Sequence, residues 1–237
     1  MTPAALHKQL ELALLDPALS IDDIEAGIEL AAGRHLAAVV VHPAQVARAA
    51  ALLEASDTAV VAAIGHPAGQ DGLRTRCCAI DEALEAGASQ LALVLGHAGL
   101  AGGRVRQAVD ELDALLVHAG ISELSGSRTR GMVTVVLETM LLEHLDLTPL
   151  WTRLAGSGVD FLQTGSGVLP TVVDATHLQR LRAALPDQVA IKACGGIARL
   201  DHASGLLASG AVRACSAAAV SIAGEARAEQ LRRSRGG

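Results

Sequence analysis

Tyrosine is missing from this 237-residue sequence, and phenylalanine and tryptophan occur once each. A core without aromatic bulk has to be filled by Ala, Leu and Val. Lysine is nearly absent as well: of 19 basic residues, only Lys8 and Lys192 are lysine. Although 51% of the residues are apolar, no apolar run reaches the roughly 18 residues that a membrane-spanning helix requires. The opening stretch MTPAALHKQLELALLD carries charges throughout and lacks the basic-then-apolar pattern of a secretion signal. These absences set a cytoplasmic protein as the expectation. The four cysteines show no C-x-x-C spacing, and Cys77 and Cys78 are adjacent, so no metal motif is legible from them. Positive charge is also in deficit: a net charge of −6 argues against a nucleic-acid surface. The locally basic end EARAEQLRRSRGG reads as a flexible solvated tail over 226–237, beyond a single domain spanning 1–225.

What the chain does have is alternation. Short apolar or β-branched runs recur at 11–16, 36–42, 58–65, 89–96, 131–138, 159–165, 188–195 and 211–217. They are apolar on both faces, as parallel strands covered by helices are. Between them lie stretches with apolar residues at three- and four-residue spacing, such as GGRVRQAVDELDALLVHAG and DATHLQRLRAAL. SIDDIEAGIELAAG opens with Ser20 as N-cap and Asp23 three residues on, an acidic capping box, and is expected to end at Gly33. Eight such units predict a closed (β/α)₈ barrel, a fold of about 250 residues. An open doubly wound sheet is the alternative, but the G-x-G-x-x-G fingerprint of a dinucleotide fold is missing after the first strands. The polar stretch ISELSGSRTRG, 121–131, is expected as a loop.

Chemistry in such a barrel belongs at the C-terminal ends of the strands. Those ends carry Asp16, His42, His66, His97, Glu138, Gln163 with Thr164, Lys192, and Cys215 with Ser216. Lys192, within VAIKACGG, carries the sharpest signal. An ammonium buried among apolar neighbours needs a partner or a lowered pKa. A desolvated lysine can become a neutral amine and attack carbonyls, which arginine cannot. The alternative is a buried lysine paired with Glu138 or Asp16 that only holds the barrel together. Gly195 and Gly196 in GGIAR, and Gly165, Ser166 and Gly167 in TGSG, form small-residue loops that let backbone N–H groups approach an anion. His42, His66 and His97 end successive strands. Three imidazoles would suit zinc, but spacing alone is thin support, and neither a metal nor another cofactor is expected.

At this point the chain resembles the deoxyribose-phosphate aldolase family. The segments that carry the resemblance are LLDPAL, AAVVVHP, IGHPAG, EAGASQLALVLGHAGL, VVLETMLL, GVDFLQTGSG, VAIKACGGI and ASGAVRACSA. It runs from about Leu12 to Ala223. The family is a (β/α)₈ class I aldolase that joins acetaldehyde to glyceraldehyde 3-phosphate through a lysine imine, without a metal. The resemblance implies that Asp16, Glu138 and Lys192 are retained family residues. It also implies that the imine lysine's position holds Gln163 and the proton-relay aspartate's position holds Ala92. The hydroxyl-rich phosphate loop reads CSAA over 215–218, leaving Ser216, and His66 and His97 stand where the family is usually apolar.

Three readings follow. Lys192 forms the imine itself, with Glu138 or Asp16 moving protons and Gln163, Thr164, His42, His66 and His97 holding a small carbonyl substrate. Alternatively, Lys192 stays charged and an isomerase or cyclase works through Glu138 and the rim histidines. Or the barrel binds a ligand without catalysis. Ordinary deoxyribose-phosphate aldolase activity is not expected. A homodimer is the expectation from symmetry alone.

Overall fold

The computed structural model describes residues 2–120 and 131–235, so the loop expected at 121–131 falls almost wholly outside the described residues. Eight strands form: β1 (Leu10–Leu14), β2 (Ala38–Val41), β3 (Ala59–Ile64), β4 (Gln90–Val94), β5 (Met132–Val136), β6 (Phe161–Gln163), β7 (Ala190–Cys194) and β8 (Ala211–Ser216). Each pairs in parallel with its sequence neighbour, and β8 returns to β1 to close the barrel. The closed (β/α)₈ barrel expected from the alternating pattern is the fold. The open sheet is excluded, because β1 pairs with both β2 and β8.

The described helices are α1 (Pro3–His7), α2 (Ile21–Gly33), α3 (Val46–Leu52), α4 (Leu73–Glu85), α5 (His97–Ala101), α6 (Val105–His118), α7 (Thr148–Leu154), α8 (Ala175–Ala184), α9 (Leu200–Ala208) and α10 (Ala219–Arg235). Helix α2 starts at the expected capping box, with Ser20 and Asp23 each satisfying the other's backbone N–H. It ends at Gly33, as expected, but without a left-handed glycine cap. Gly33 is still helical, and the residue with positive φ is His35, at 54°. Helix α10 carries Ala219, Ile222, Ala223 and Ala226 on one buried face. The domain boundary expected at 225–226 therefore falls inside this helix.

Apolar packing occupies two places. The larger cluster lies between the barrel and its helices. A smaller one fills the barrel lumen with Ala38, Val40, Val61, Ala63, Ala92, Val94, Val136, Cys194 and Cys215. Side chains alternate in direction along a strand, so residues two apart share the lumen face. Below this layer, toward the strand N-termini, the lumen is polar. Glu11, Thr134, Lys192 and Arg213 gather there around Phe161. Small residues such as Ala38 and Ala92 line the same lumen and leave room for long side chains. The sequence pattern predicted strands apolar on both faces; this lower layer departs from it.

Candidate active site

A cleft of about 570 Å³ opens at the C-terminal mouth of the barrel. Asp16, His66, Ser166, Gly167, Gly195, Gly196 and Ser216 line it, together with Cys194 and Cys215. All of these except the two cysteines are site residues expected from the sequence, and they come together because they stand at or just past the ends of β1, β3, β6, β7 and β8 of one closed sheet. The remaining expected residues, Lys192, Glu138, Gln163, Thr164, Gly165, His42 and His97, do not line the cleft.

Lys192 lies deeper. It is 0% exposed, and its Nζ sits 2.8 Å from Glu11 Oε2, which is also 0% exposed. Nζ donates to Thr134 Oγ1 at 3.0 Å and lies 5.0 Å from the Phe161 ring centroid. The other Glu11 oxygen accepts from Arg213 Nη1 at 2.7 Å. Burial pushes the Glu11 pKa up, but the Lys192 and Arg213 charges outweigh it and hold the carboxyl below its ordinary range. The alternative reading of a structural lysine names Glu138 or Asp16 as its partner; the partner is Glu11. Glu11 and Arg213 were passed over because each sits inside a strand-like run. Their lumen parity, shared with Ala13 and Cys215, was the available signal. Lys8, the other lysine, is a surface residue 2.7 Å from Asp57 Oδ2.

Most of the remaining polar groups are engaged with the loops themselves. Glu138 Oε1 accepts from Ser166 N–H at 2.9 Å, which fastens the loop after β6. Gln163 Nε2 donates to Gly165 O at 2.8 Å. Thr164 Oγ1 donates to Cys194 O and accepts from Cys194 N–H, bridging β6 to β7. Ser216 Oγ donates to Ile197 O and accepts from Ala218 N–H. Its hydroxyl is thus committed to the loop rather than turned to a ligand. At Gly196, φ is 65° and an added Cβ would lie 2.8 Å from Val172 Cγ2, so only glycine fits that turn.

Of the three histidines, His42 and His66 stay in contact and His97 parts from them. His66 Nε2 donates to Ser166 O at 3.4 Å, and burial lowers its pKa. In the neutral tautomer this leaves Nδ1 with a free lone pair. His42 packs edge-on against His66, with ring centroids 5.4 Å apart, and donates to Leu15 O. His97 begins α5 instead and faces a small crevice walled by Pro67, Leu100 and Leu137. Among the described residues, no group of three or more His, Cys, Asp or Glu is placed to hold a metal ion. Another relay was missed entirely: Thr139 Oγ1 and His177 Nε2 lie 2.7 Å apart, and His177 Nδ1 lies 2.6 Å from Glu143 Oε1. It ties α8 to the segment after β5, behind Glu138.

No protein-family model matches the chain. Comparison along its length does find relatives. The deoxyribose-phosphate aldolase of Staphylococcus carnosus is 26% identical over 215 residues, covering 91% of this chain and 94% of that protein. Deoxyribose-phosphate aldolase 2 of Staphylococcus aureus is 26% identical over 216 residues, with the same coverage. Among solved structures, the aldolase QR15 superposes with a TM-score of 0.83 at 24% identity, over 95% of this chain and 97% of that one. The deoxyribose phosphate aldolase from Aeropyrum pernix gives 0.81 at 25% identity, over 94% and 92%. Similarity that runs through nearly the whole of both chains, joined to the same closed barrel, makes this protein a distant homologue of deoxyribose-phosphate aldolase.

Proposed function

We propose that the protein acts on a small carbonyl compound in the cleft at the barrel mouth, by acid–base chemistry and without an imine on Lys192. The observation that carries this reading is the buried pair of Lys192 with Glu11 at 2.8 Å. The Lys192 amine is committed to Glu11 and Thr134, is wholly buried and lies outside the cleft lining, so a carbonyl held in the cleft does not meet it. Gln163 offers no substitute, because an amide cannot form an imine. The carboxylate and the imidazole facing the cleft are Asp16 and His66. His66, with its pKa lowered by burial, stays neutral across a wider pH range and suits removal of a proton beside a carbonyl. Asp16 accepts from Ala18 N–H through one oxygen, and its second oxygen suits a substrate hydroxyl. The walls contributed by Val168, Ile197, Ala217 and Ala218 favour a substrate without a phosphate. The aldolases to which the chain is related make a carbonyl substrate the expected class.

The test incubates the protein with a panel of small aldehydes, ketones and 2-oxo acids in D₂O. Loss of the α-proton signal is followed by NMR, and a parallel sample is reduced with borohydride and weighed intact. We expect exchange of at least one compound, slowed by about a hundredfold in His66→Ala. We expect no added mass after reduction. The acidic limb of the exchange rate should fall below the usual histidine range. An adduct that disappears in Lys192→Ala would overturn this reading in favour of an imine on Lys192. Absence of both exchange and adduct would overturn carbonyl chemistry itself.

A further inference from the structure

Two thiols line the bottom of the cleft, and the proposed chemistry uses neither. Cys194 ends β7, Cys215 lies one residue before the end of β8, and the two are register partners. Neighbouring parallel strands run about 4.8 Å apart. Both residues belong to the lumen cluster, so their side chains enter the same space. The Cys194 thiol acts directly on that of Cys215, and both line the cleft. Cys194 is 5% exposed and Cys215 2%. Gly167 leaves room beside them: an added Cβ there would sit 3.2 Å from Cys194 Sγ. The other two cysteines are differently placed. Cys77 and Cys78 are consecutive on α4, so their side chains leave the helix about 100° apart.

We propose that Cys194 and Cys215 form a dithiol site at the bottom of the cleft that binds a soft, low-coordinate metal or metalloid centre bridging both sulfurs. A thiol pair without a third ligand is ill suited to a tetrahedral zinc cage. Thiolate sulfur selects soft acceptors, and two sulfurs suffice for those of low coordination number. The neighbouring Cys194 thiol, and then burial, push the Cys215 thiol well above its ordinary range. Attack by a single thiolate is thereby suppressed, so one-point alkylating reagents should react slowly. A bridging acceptor engages both sulfurs at once. With an organic arsenic(III) oxide, two S–H bonds and the As=O bond break, two As–S bonds form, and one water leaves. Arsenic stays trivalent, so no oxidant or reductant is needed.

Phenylarsine oxide is the probe, applied to the folded protein in the presence of a monothiol. Trypsin separates the cysteines, because Arg76, Lys192 and Arg213 immediately precede the segments 77–104, 193–199 and 214–227. We expect one arsenic per chain, joining peptides 193–199 and 214–227 in a single mass. Release should follow addition of 1,2-ethanedithiol but not excess 2-mercaptoethanol. In a Cys77→Ser/Cys78→Ser background, binding should persist, and adding Cys194→Ala or Cys215→Ala should weaken it more than tenfold. No arsenic on the folded protein, or arsenic confined to 77–104, would overturn the site. So would binding that survives loss of either thiol.

Discussion

A charge buried at 0% exposure is tolerable only while its partners stay in place. Glu11 satisfies that condition twice, through Lys192 and Arg213. Glu11→Ala would strand both cations, Lys192 wholly in the dry lumen. It is expected to lower unfolding stability by about 3–5 kcal/mol, read from urea midpoints. The pH dependence has a definite sign. The Glu11 pKa is depressed in the folded state, so its contribution is complete above the ordinary carboxylate range. That contribution is lost as pH falls through the lowered value. Urea titrations from about pH 7 to about pH 3 should therefore show a drop in the wild type that Glu11→Gln largely lacks. Lys8 is the contrasting case. It and His35 hold the exposed Asp57 carboxyl at about 2, yet solvent screens such pairs and little stability rests on them.

At the scale of elements, the loop after β6 is held from three sides. Glu138 takes the Ser166 N–H, His66 reaches the Ser166 carbonyl, and Gln163 ties back to Gly165. Gly167 completes it with φ at 83°, a left-handed conformation, directly beside Cys194 Sγ. Gly167→Ala is expected to cost about 1–2 kcal/mol from backbone strain alone. The added methyl should also press on the thiol, so phenylarsine oxide binding should weaken together with the urea midpoint. A midpoint within error of wild type would show that the loop adapts freely.

The Glu11–Lys192–Arg213 network spans the seam of the whole molecule, joining β1, β7 and β8 where the first strand meets the last. A register irregularity between Ile191 and Lys192 sets Lys192 opposite Arg213. Buried ion networks often stabilise less than the apolar packing that could replace them. Replacing all three residues with apolar residues of similar volume is thus expected to leave stability unchanged or raise it by about 1–4 kcal/mol. Urea unfolding of the triple variant beside Glu11→Ala checks this. A triple variant as unstable as the single one would assign the network a positive role in closing the barrel.

The sequence by itself determined the eight-strand alternation, the capping box at Ser20 and Asp23, and the resemblance to the aldolases. Each depends on residues a few positions apart or on linear order. Strand ends could likewise be read as site candidates, and Asp16, His66, Ser166, Gly167, Gly195, Gly196 and Ser216 do share one cleft. Tertiary structure alone decided which groups touch. Lys192 takes its partner from the other end of the chain, because closure brings β1 beside β8. Ser216 commits its hydroxyl to a neighbouring loop and Thr164 to the backbone of β7. Cys194 and Cys215 face each other only through strand register. Linear order carries the fold's period, but the direction and depth of a side chain in a closed lumen are set by shear and by every other strand.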